Sequence, residues 1–131
     1  EITTRLVGSE MCIRDSTYSG SATDENYAMG LLWADETSDL LDGYSWHKSL
    51  QPVFVSSEKN HQYGPGHNSF TKSEDDSEDV LIFHARPEKN KKGDPLDNPN
   101  RHANAQAFSW DEAGFPQFGE PAAYREKETV R

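Results

Sequence analysis

The sequence is poor in cysteine, in apolar side chains and in basic charge. A single cysteine, Cys12, excludes an internal disulfide. Apolar residues make up 33% of the 131 positions, and adding the nine glycines leaves the total below the usual share of about 45–50%. The 13 basic residues face 23 acidic ones, a net charge of −10. This balance argues against nucleic acid and against an anionic membrane surface, because both are polyanions.

Long hydrophobic runs are also missing. No run approaches the roughly 18 apolar residues of a membrane span, and no signal peptide is visible. The length suits one domain at most. Three Trp, five Tyr and six Phe are present, whereas disordered acidic chains are poor in aromatic residues. The composition therefore indicates a piece of a folded protein.

Short apolar runs alternate with turn clusters at strand spacing, which predicts an all-β fold. A loop is expected at 35–45, with a helical turn near Asp39–Leu41, and Pro52 places its segment at a sheet edge. The predicted strands and extended segments are 26–35, 46–54, 66–73, 80–87, 103–111 and 115–121.

The last four of these segments follow one another as antiparallel strands that shorten outward. This order is typical of one complete β-propeller blade, or of four strands of a sandwich. The strands before Gly66 would then be the outer three of a preceding blade that lacks its inner strand. One blade and most of another cannot close a ring, so we expect unpaired edges and a tendency to misassemble.

The stretch QYGPGHNSFT (62–71) is the sharpest local signal. Gly64 and Gly66 flank Pro65, so the backbone bends tightly and approaches a neighbour. His67 opens the innermost predicted strand, where a histidine would point at the propeller axis and contact a metal or a substrate. A buried histidine satisfied by hydrogen bonds is the alternative.

A second group of candidates lies on the following strands. Arg86 follows His84 by two positions, so both face the same side of one strand, and Arg101 begins the next strand. A guanidinium beside a pocket suits sugar hydroxyls or a carboxylate. Structurally paired arginines are the alternative.

Other patterns favour structural interpretations. The five histidines do not have the spacing of a zinc site. SEDDSED (73–79) reads as a solvated hairpin tip and GDPLDNPN (93–100) as a proline-punctuated surface loop. The three tryptophans suit blade packing better than sugar stacking. No nucleophile elbow, phosphate loop or dinucleotide fingerprint occurs.

Five blocks carry a resemblance to a known family. They read TYSGSATDENYAMGLLWAD, YSWHKSLQPVF, YGPGHNSFT, IFHARP and DNPNRHANAQAFSWDEAGFPQFGEP, in this order from Thr17 to Pro121. This stretch resembles the C-terminal portion of glycoside hydrolase family 43, and within it the α-L-arabinofuranosidases. The resemblance implies a partial five-bladed β-propeller, with about one complete blade and most of another.

The resemblance also implies a chemistry and a set of roles. Members hydrolyse terminal α-L-arabinofuranosyl units of plant oligo- or polysaccharides with inversion, using two Asp and one Glu in a Glu-Gly-Pro context. None of these acids has a counterpart here, so no catalytic residue is assigned and the fragment is expected to be inactive. His67 matches a histidine that helps to hold calcium in the intact propeller, and Arg101 an arginine near the sugar. Asn104 stands where an arginine is expected, which weakens the match of its strand.

The beginning of the chain departs from the family. VGSEMCIRDS, within residues 1–16, resembles a translated sequencing adapter, so we expect a non-native segment at 1–16, the family portion at 17–121 and a charged tail at 122–131. β-xylosidase or arabinanase activity, and a non-catalytic sugar- or calcium-binding module, remain alternatives. An extracellular or periplasmic parent is expected.

Overall fold

The computed structural model describes residues 13–89 and 93–123, together with the backbone of Thr3–Thr4. The described chain forms eight strands and two short 3-10 turns, so its all-β character is confirmed. None of its helical segments is long or apolar enough to cross a membrane. Cys12 and most of the charged tail lie outside the described residues.

The first sheet has the order β1-β2-β3-β4 and is antiparallel throughout. Its strands are β1 (Thr3–Thr4), β2 (Ile13–Gly20), β3 (Ala28–Asp35) and β4 (His47–Lys48). The expectation that this sheet lacks an inner strand is wrong, because β1 pairs with β2 at that edge.

The second sheet has the order β5-β6-β7-β8 and is also antiparallel. Its strands are β5 (Tyr63–Lys72), β6 (Asp79–Arg86), β7 (His102–Trp110) and β8 (Pro116–Gln117). The four consecutive strands predicted from the sequence are confirmed. β5 begins earlier than expected, and its register with β6 shifts twice, between Tyr63 and Gly66 and between Gly66 and Ser69.

The two sheets pack face to face over one core. Phe54 is central to it: it bridges to Met29 of β3 and lies 4.9 Å from Phe83 of β6, ring centre to ring centre. The buried members of this core are Met29, Phe54, Leu81, Phe83, Ala85 and Phe118. Since these residues come from both sheets, the core joins the two sheets into one unit.

Two elements differ from the sequence prediction. A hydrogen-bonded turn lies at the expected place, with the Asp42 N–H donating to the Asp39 carbonyl, and the 3-10 helix follows it at Gly43–Ser45, where the Asp42 side chain accepts a hydrogen bond from the Tyr44 backbone. The segment 46–54 contributes only the two-residue β4 and the Met29–Phe54 bridge to the sheet.

The junction predicted between Ser16 and Thr17 falls inside β2. The register with β3 is unbroken from Ile13 opposite Asp35 to Gly20 opposite Ala28. Every residue other than proline carries the backbone N–H and C=O groups that a ladder uses, so this continuity leaves the predicted junction as a prediction.

Candidate functional site

Three stacked rings form the centre of the candidate site. His84 of β6 lies between Tyr27 and His67, with ring centres 5.8 Å from each. The planes of Tyr27 and His84 differ by 6°, and those of His67 and His84 by 23°. The structure therefore stacks the two histidines singled out in the sequence directly on each other and adds Tyr27, which was not singled out, on the other side of His84.

The glycines of the GPG run make this stack possible. A Cβ at position 66 would lie 2.8 Å from Cδ1 of Tyr27 and 2.9 Å from the Ser19 hydroxyl, so only a glycine lets the tyrosine cross β5. Gly64 has a φ of +62°, and a Cβ there would run into the carbonyl oxygen of Asp24. The predicted close approach of this backbone to a neighbour is confirmed.

Polar residues of β2 hold the His67 segment in place. The Ser19 hydroxyl accepts a hydrogen bond from the His67 backbone at 2.8 Å, and the Asn68 amide donates to Thr17 Oγ1 at 2.7 Å. His67 itself has a φ of +50° and an exposed side chain. Such a backbone conformation is rare outside glycine and is retained where surrounding contacts enforce it.

Arg86 has a structural position. It is 3% exposed, and its guanidinium donates to the backbone carbonyls of Thr23 and Pro95. It therefore clamps the loop that carries Tyr27 to the 3-10 turn Pro95–Asp97. Burial, together with the charge of Arg101, lowers the pKa of Arg86, while Asp24 acts in the opposite direction.

Arg101 is exposed and stands one residue before β7. The pairing of Ala85 with His102 places it beside Arg86, and its charge reaches both Arg86 and His84. Burial first, and then the charges of Arg101, His67 and Arg86, lower the pKa of His84. Its Nδ1 is enclosed with no hydrogen-bond partner among the described residues. The site is thus a cationic cluster in an acidic chain.

This donor set does not by itself fit a calcium ion. Calcium takes about six to eight oxygen ligands, whereas the ring stacked on His67 is the imidazole of His84, and the charges that act on His84 include two guanidinium groups. Within the described residues, no three His, Cys, Asp or Glu side chains form a group that could hold a metal. Calcium binding through His67 stays a prediction for the intact propeller.

The remaining candidate segments have structural roles. Asp75 accepts hydrogen bonds from the Ser73 and Ser77 hydroxyls, which lowers its pKa to about 2 and orders the hairpin tip. Asp94 caps the 3-10 turn by accepting from the Leu96 backbone at 2.9 Å. Both segments match the interpretation made from the sequence.

The tryptophans pack against neighbours. Trp33 stacks on His47 with ring centres 4.3 Å apart, and its ring meets Phe115 edge-on. The Trp46 indole donates to the carbonyl of Leu40, and that of Trp110 donates to Asp79.

Two polar residues near the site were missed. Gln62 is 1% exposed, and its amide donates to the Asn104 side chain and to the Ala122 carbonyl. Asn104 thus faces the sheet interior, where it serves this contact. Ser19 was missed although it alternates with Thr17 on one strand face, a spacing that the sequence displays.

Several known proteins are similar to this chain. The chain is 54% identical over 107 residues to an extracellular exo-α-(1→5)-L-arabinofuranosidase of Streptomyces avermitilis, covering 82% of this chain and 22% of that protein. It is 52% identical over 105 residues to α-L-arabinofuranosidase B of Pyricularia oryzae, covering 80% and 22%. The chain thus spans about a fifth of the length of these curated relatives.

Two solved structures of glycoside hydrolases are also similar to this chain. An α-L-arabinofuranosidase from Lactobacillus brevis superposes with a TM-score of 0.87 at 49% identity, over 96% of this chain and 37% of that chain. A thermostable family-43 glycoside hydrolase, 20% identical, shares the fold with a TM-score of 0.61. The two sheets are therefore blades of a partial β-propeller and not a sandwich.

The family assignment follows from the extent of the match. The model of glycosyl hydrolases family 43 covers residues 17–116, which include the whole ring stack and both β2 residues that support it. With most of the chain inside that match, this protein belongs to glycosyl hydrolases family 43.

Proposed function

We propose that this chain is part of an enzyme that releases terminal α-L-arabinofuranosyl units from oligo- or polysaccharides. The observation that carries the proposal is the 54% and 52% identity to two arabinofuranosidases over 107 and 105 residues of this chain. The ring stack and the glycines that it requires lie within that stretch. The ring stack and these glycines support the proposal because they form an ordered site within the part of the chain that matches the family.

In this proposal Arg101 contacts the sugar. Its guanidinium is exposed at the edge of the ring stack, whereas Arg86 is occupied by backbone carbonyls. An exposed guanidinium can donate several hydrogen bonds to sugar hydroxyls. His67, also exposed, borders the same space.

The hydrolytic step needs groups that this chain does not supply. Inversion requires a carboxylic acid and a carboxylate about 6.5–9.5 Å apart with a water between them. The cluster at the ring stack is cationic, and no residue of this chain is assigned as the acid or the base. We therefore expect the chain alone to be inactive, and the intact protein to act outside the cell on arabinose-containing polysaccharide.

A chimera tests the proposal. Residues 17–123 replace the matched stretch of the Streptomyces avermitilis relative, and both this chimera and the 131-residue chain are assayed on an aryl α-L-arabinofuranoside. The chimera is expected to release arabinose, and the chain alone is expected to release none. Release of xylose from an aryl β-xyloside, without arabinose release, would favour the β-xylosidase alternative.

Two variants of the chimera assign the role of Arg101. Arg101→Ala is expected to lower kcat/KM about tenfold to a hundredfold, since hydrogen bonds to a charged group contribute about 1.5–3 kcal/mol. Lys59→Ala removes an equally exposed charge in a turn and is the matched control. Equal rates for the two variants would remove Arg101 from the substrate site.

A further inference from the structure

A second concave site lies on the face of the first sheet that points away from the second sheet. Thr17 and Ser19 of β2 accept hydrogen bonds from β5, so Tyr18 between them projects to the opposite face. The hollow on that face has a volume of about 370 Å³, within the range of about 300–1,000 Å³ that is typical of small-molecule sites. It shares no residue with the three-ring stack.

The Tyr18 ring forms the floor of this hollow. It lies across Gly30 of β3, where a Cβ would be 2.7 Å from Cε1 of the ring, so only a glycine admits the ring there. Because one side of the ring rests on the Gly30 backbone, the other side borders the hollow. The face of an aromatic ring carries negative potential and attracts polarised C–H groups such as those of a sugar ring.

The segment after β4 forms one wall. The Ser49 N–H donates to the Leu31 carbonyl at 2.9 Å. The Val53 N–H donates to the Met29 carbonyl at 2.8 Å. Four steps of this segment therefore run beside only two steps of β3, so residues 50–52 bulge outward beside the floor. This bulge gives the hollow its depth, because residues 50–52 all line it.

The rim combines neutral polar groups with one cation. The Lys48 ammonium lies 5.5 Å from the centre of the Tyr18 ring. Ser21, on the opposite rim, has a φ of +77°, a conformation that is rare outside glycine and is retained where surrounding contacts enforce it. The hollow also has Asn26, Ser49 and Gln51 among its lining residues, and its described lining includes no carboxylate. A chain with a net charge of −10 thus has a positively charged hollow with an apolar floor.

We propose that this hollow binds a sugar ring that bears a carboxylate, that is, a uronic acid unit. The C–H face of the sugar packs on Tyr18, and its carboxylate pairs with the Lys48 ammonium. The sugar hydroxyls exchange hydrogen bonds with the hydroxyl and amide groups of the rim. One planar floor beside one cation suits one such unit, either free or within an oligosaccharide. The proposal is independent of the glycosidase proposal, because binding at this hollow needs no hydrolysis.

The first test compares three ligands on the ¹⁵N-labelled full chain at pH 7. Methyl β-D-glucuronide has all the proposed features, methyl β-D-glucoside lacks the charge, and benzoate has a charge and a flat ring but no hydroxyls. We expect saturable shifts of the Gly20 and Gly30 amide signals, with the glucuronide binding at least ten times more tightly than either of the others. Gly119, which follows β8 of the other sheet, is the internal reference.

Three outcomes of this titration would overturn the proposal. The first is equal affinity for the glucuronide and the glucoside, which would remove Lys48 from the site. The second is tighter binding of benzoate, which would replace the sugar by an aromatic acid. The third is the absence of shifts at both Gly20 and Gly30.

Variants separate the charge from the floor. Lys48→Gln should reduce glucuronide binding to the level of the glucoside, whereas Lys59→Gln removes an equally exposed charge and should change neither affinity. Gly30→Ala should displace the Tyr18 ring and weaken both sugars, whereas Gly43→Ala meets no atom within 4 Å and should not. Unchanged glucuronide binding in Lys48→Gln would also overturn the proposal. The three-ligand comparison in the unsubstituted chain decides it should a variant fail to fold.

Two further titrations identify the source of the ligand and the state of the hollow in a longer protein. A trimer of galacturonic acid that binds more tightly than its methyl monomer would support a unit within an oligosaccharide, and equal binding would support a single unit. The chimera with the Streptomyces avermitilis relative is expected to retain glucuronide binding, whether or not it releases arabinose. Loss of binding in a folded chimera would assign the hollow to a contact between blades and would overturn the proposal.

Discussion

At the scale of single residues, Arg86 and Arg101 show how one residue type serves two purposes. Arg86 is buried and both terminal nitrogens of its guanidinium donate to backbone carbonyls, whereas Arg101 is exposed. Removing a buried donor leaves its acceptors without partners, which costs more than removing an exposed one. The two arginines should therefore differ in their effects on stability.

Substitution of each arginine tests this difference. Arg86→Ala is expected to lower the free energy of unfolding by about 2–4 kcal/mol, because the carbonyls of Thr23 and Pro95 lose their donor. Arg101→Ala should change it by no more than about 0.5 kcal/mol. Urea unfolding followed by tryptophan fluorescence measures both, and equal losses would contradict the assigned roles.

Gly66 provides a second test at this scale. Gly66→Ala places a methyl group against Cδ1 of Tyr27 and the Ser19 hydroxyl, so we expect a loss of about 1–3 kcal/mol and a displaced tyrosine ring. Gly43→Ala is the control, since a Cβ there meets no atom within 4 Å. Unfolding curves give the stabilities, and the ring-current shifts of His84 protons report the stack. Unchanged ring-current shifts in Gly66→Ala would show that the Tyr27 ring can stack on His84 with a methyl group at position 66, which would contradict the expectation.

At the scale of elements, β2 carries one residue that its environment does not suit. Asp15 is buried, and this burial raises its pKa against the opposing effect of a backbone hydrogen bond, so the folded state binds the proton of Asp15 more tightly than the unfolded state does. Stability contributed by this group is therefore present at low pH and is lost as the pH rises through the folded-state pKa.

The pH dependence of Asp15→Asn follows from this sign. At pH 7 the variant should be more stable than the unsubstituted chain, because it removes a buried charge. The difference should shrink as the pH falls toward 4, where Asp15 becomes protonated. Urea unfolding of both proteins at pH 4, 5, 6 and 7 measures the gap, and a gap independent of pH would contradict the expectation.

The strands could largely be predicted because their signals are local. The apolar run 80–87 and the alternation over 103–111 identified β6 and β7 within one residue at each end. The start of β5 was missed because Tyr63 and Gly66 pair with β6 only through register shifts, which no simple alternation encodes. The segment 46–54 was overestimated, since only two of its residues enter a ladder.

The site was predictable in part for the same reason. His67, His84 and Arg101 stood out individually, and the proximity of His84 to Arg86 followed from strand period. The stacking of Tyr27 on His84 joins positions far apart in sequence, and no local pattern reports such a contact. The structural use of Arg86 depends on the Thr23 and Pro95 carbonyls, which come from two separate loops.

At the scale of the whole molecule, two blades leave sheet faces uncovered. Ala103, Ala105 and Ala107 are exposed along β7, on the side opposite the residues that pack toward the core. Small apolar side chains in a row on an open sheet form a surface that favours association.

Self-association is the expected consequence. We expect the 131-residue chain to sediment above its monomer mass as its concentration rises. Ala105→Lys should shift it toward monomer, whereas Ala113→Lys, in an exposed turn, should not. Sedimentation velocity over a concentration series measures both. A monomer at all concentrations would contradict the role of the open face.

Calcium gives a further test at this scale. The ring stacked on His67 in this chain is an imidazole on which the charges of Arg101 and Arg86 act, so calcium chloride should not raise the melting temperature of the chain. Thermal unfolding with calcium, with magnesium and with a chelator makes the comparison. A rise of several degrees specific to calcium would show that the two blades suffice for a calcium site.

The crossing of Tyr27 over Gly66 has a consequence for recombination between relatives. The tyrosine occupies the space that a side chain at position 66 would need, so the two positions behave as one steric unit. A loop graft that brings a different residue 27 without its matching β5 segment would open a gap, and the reverse graft would create a clash. The smallest transfer that keeps the contact between Tyr27 and Gly66 intact is therefore the exchange of residues 24–27 together with residues 63–67.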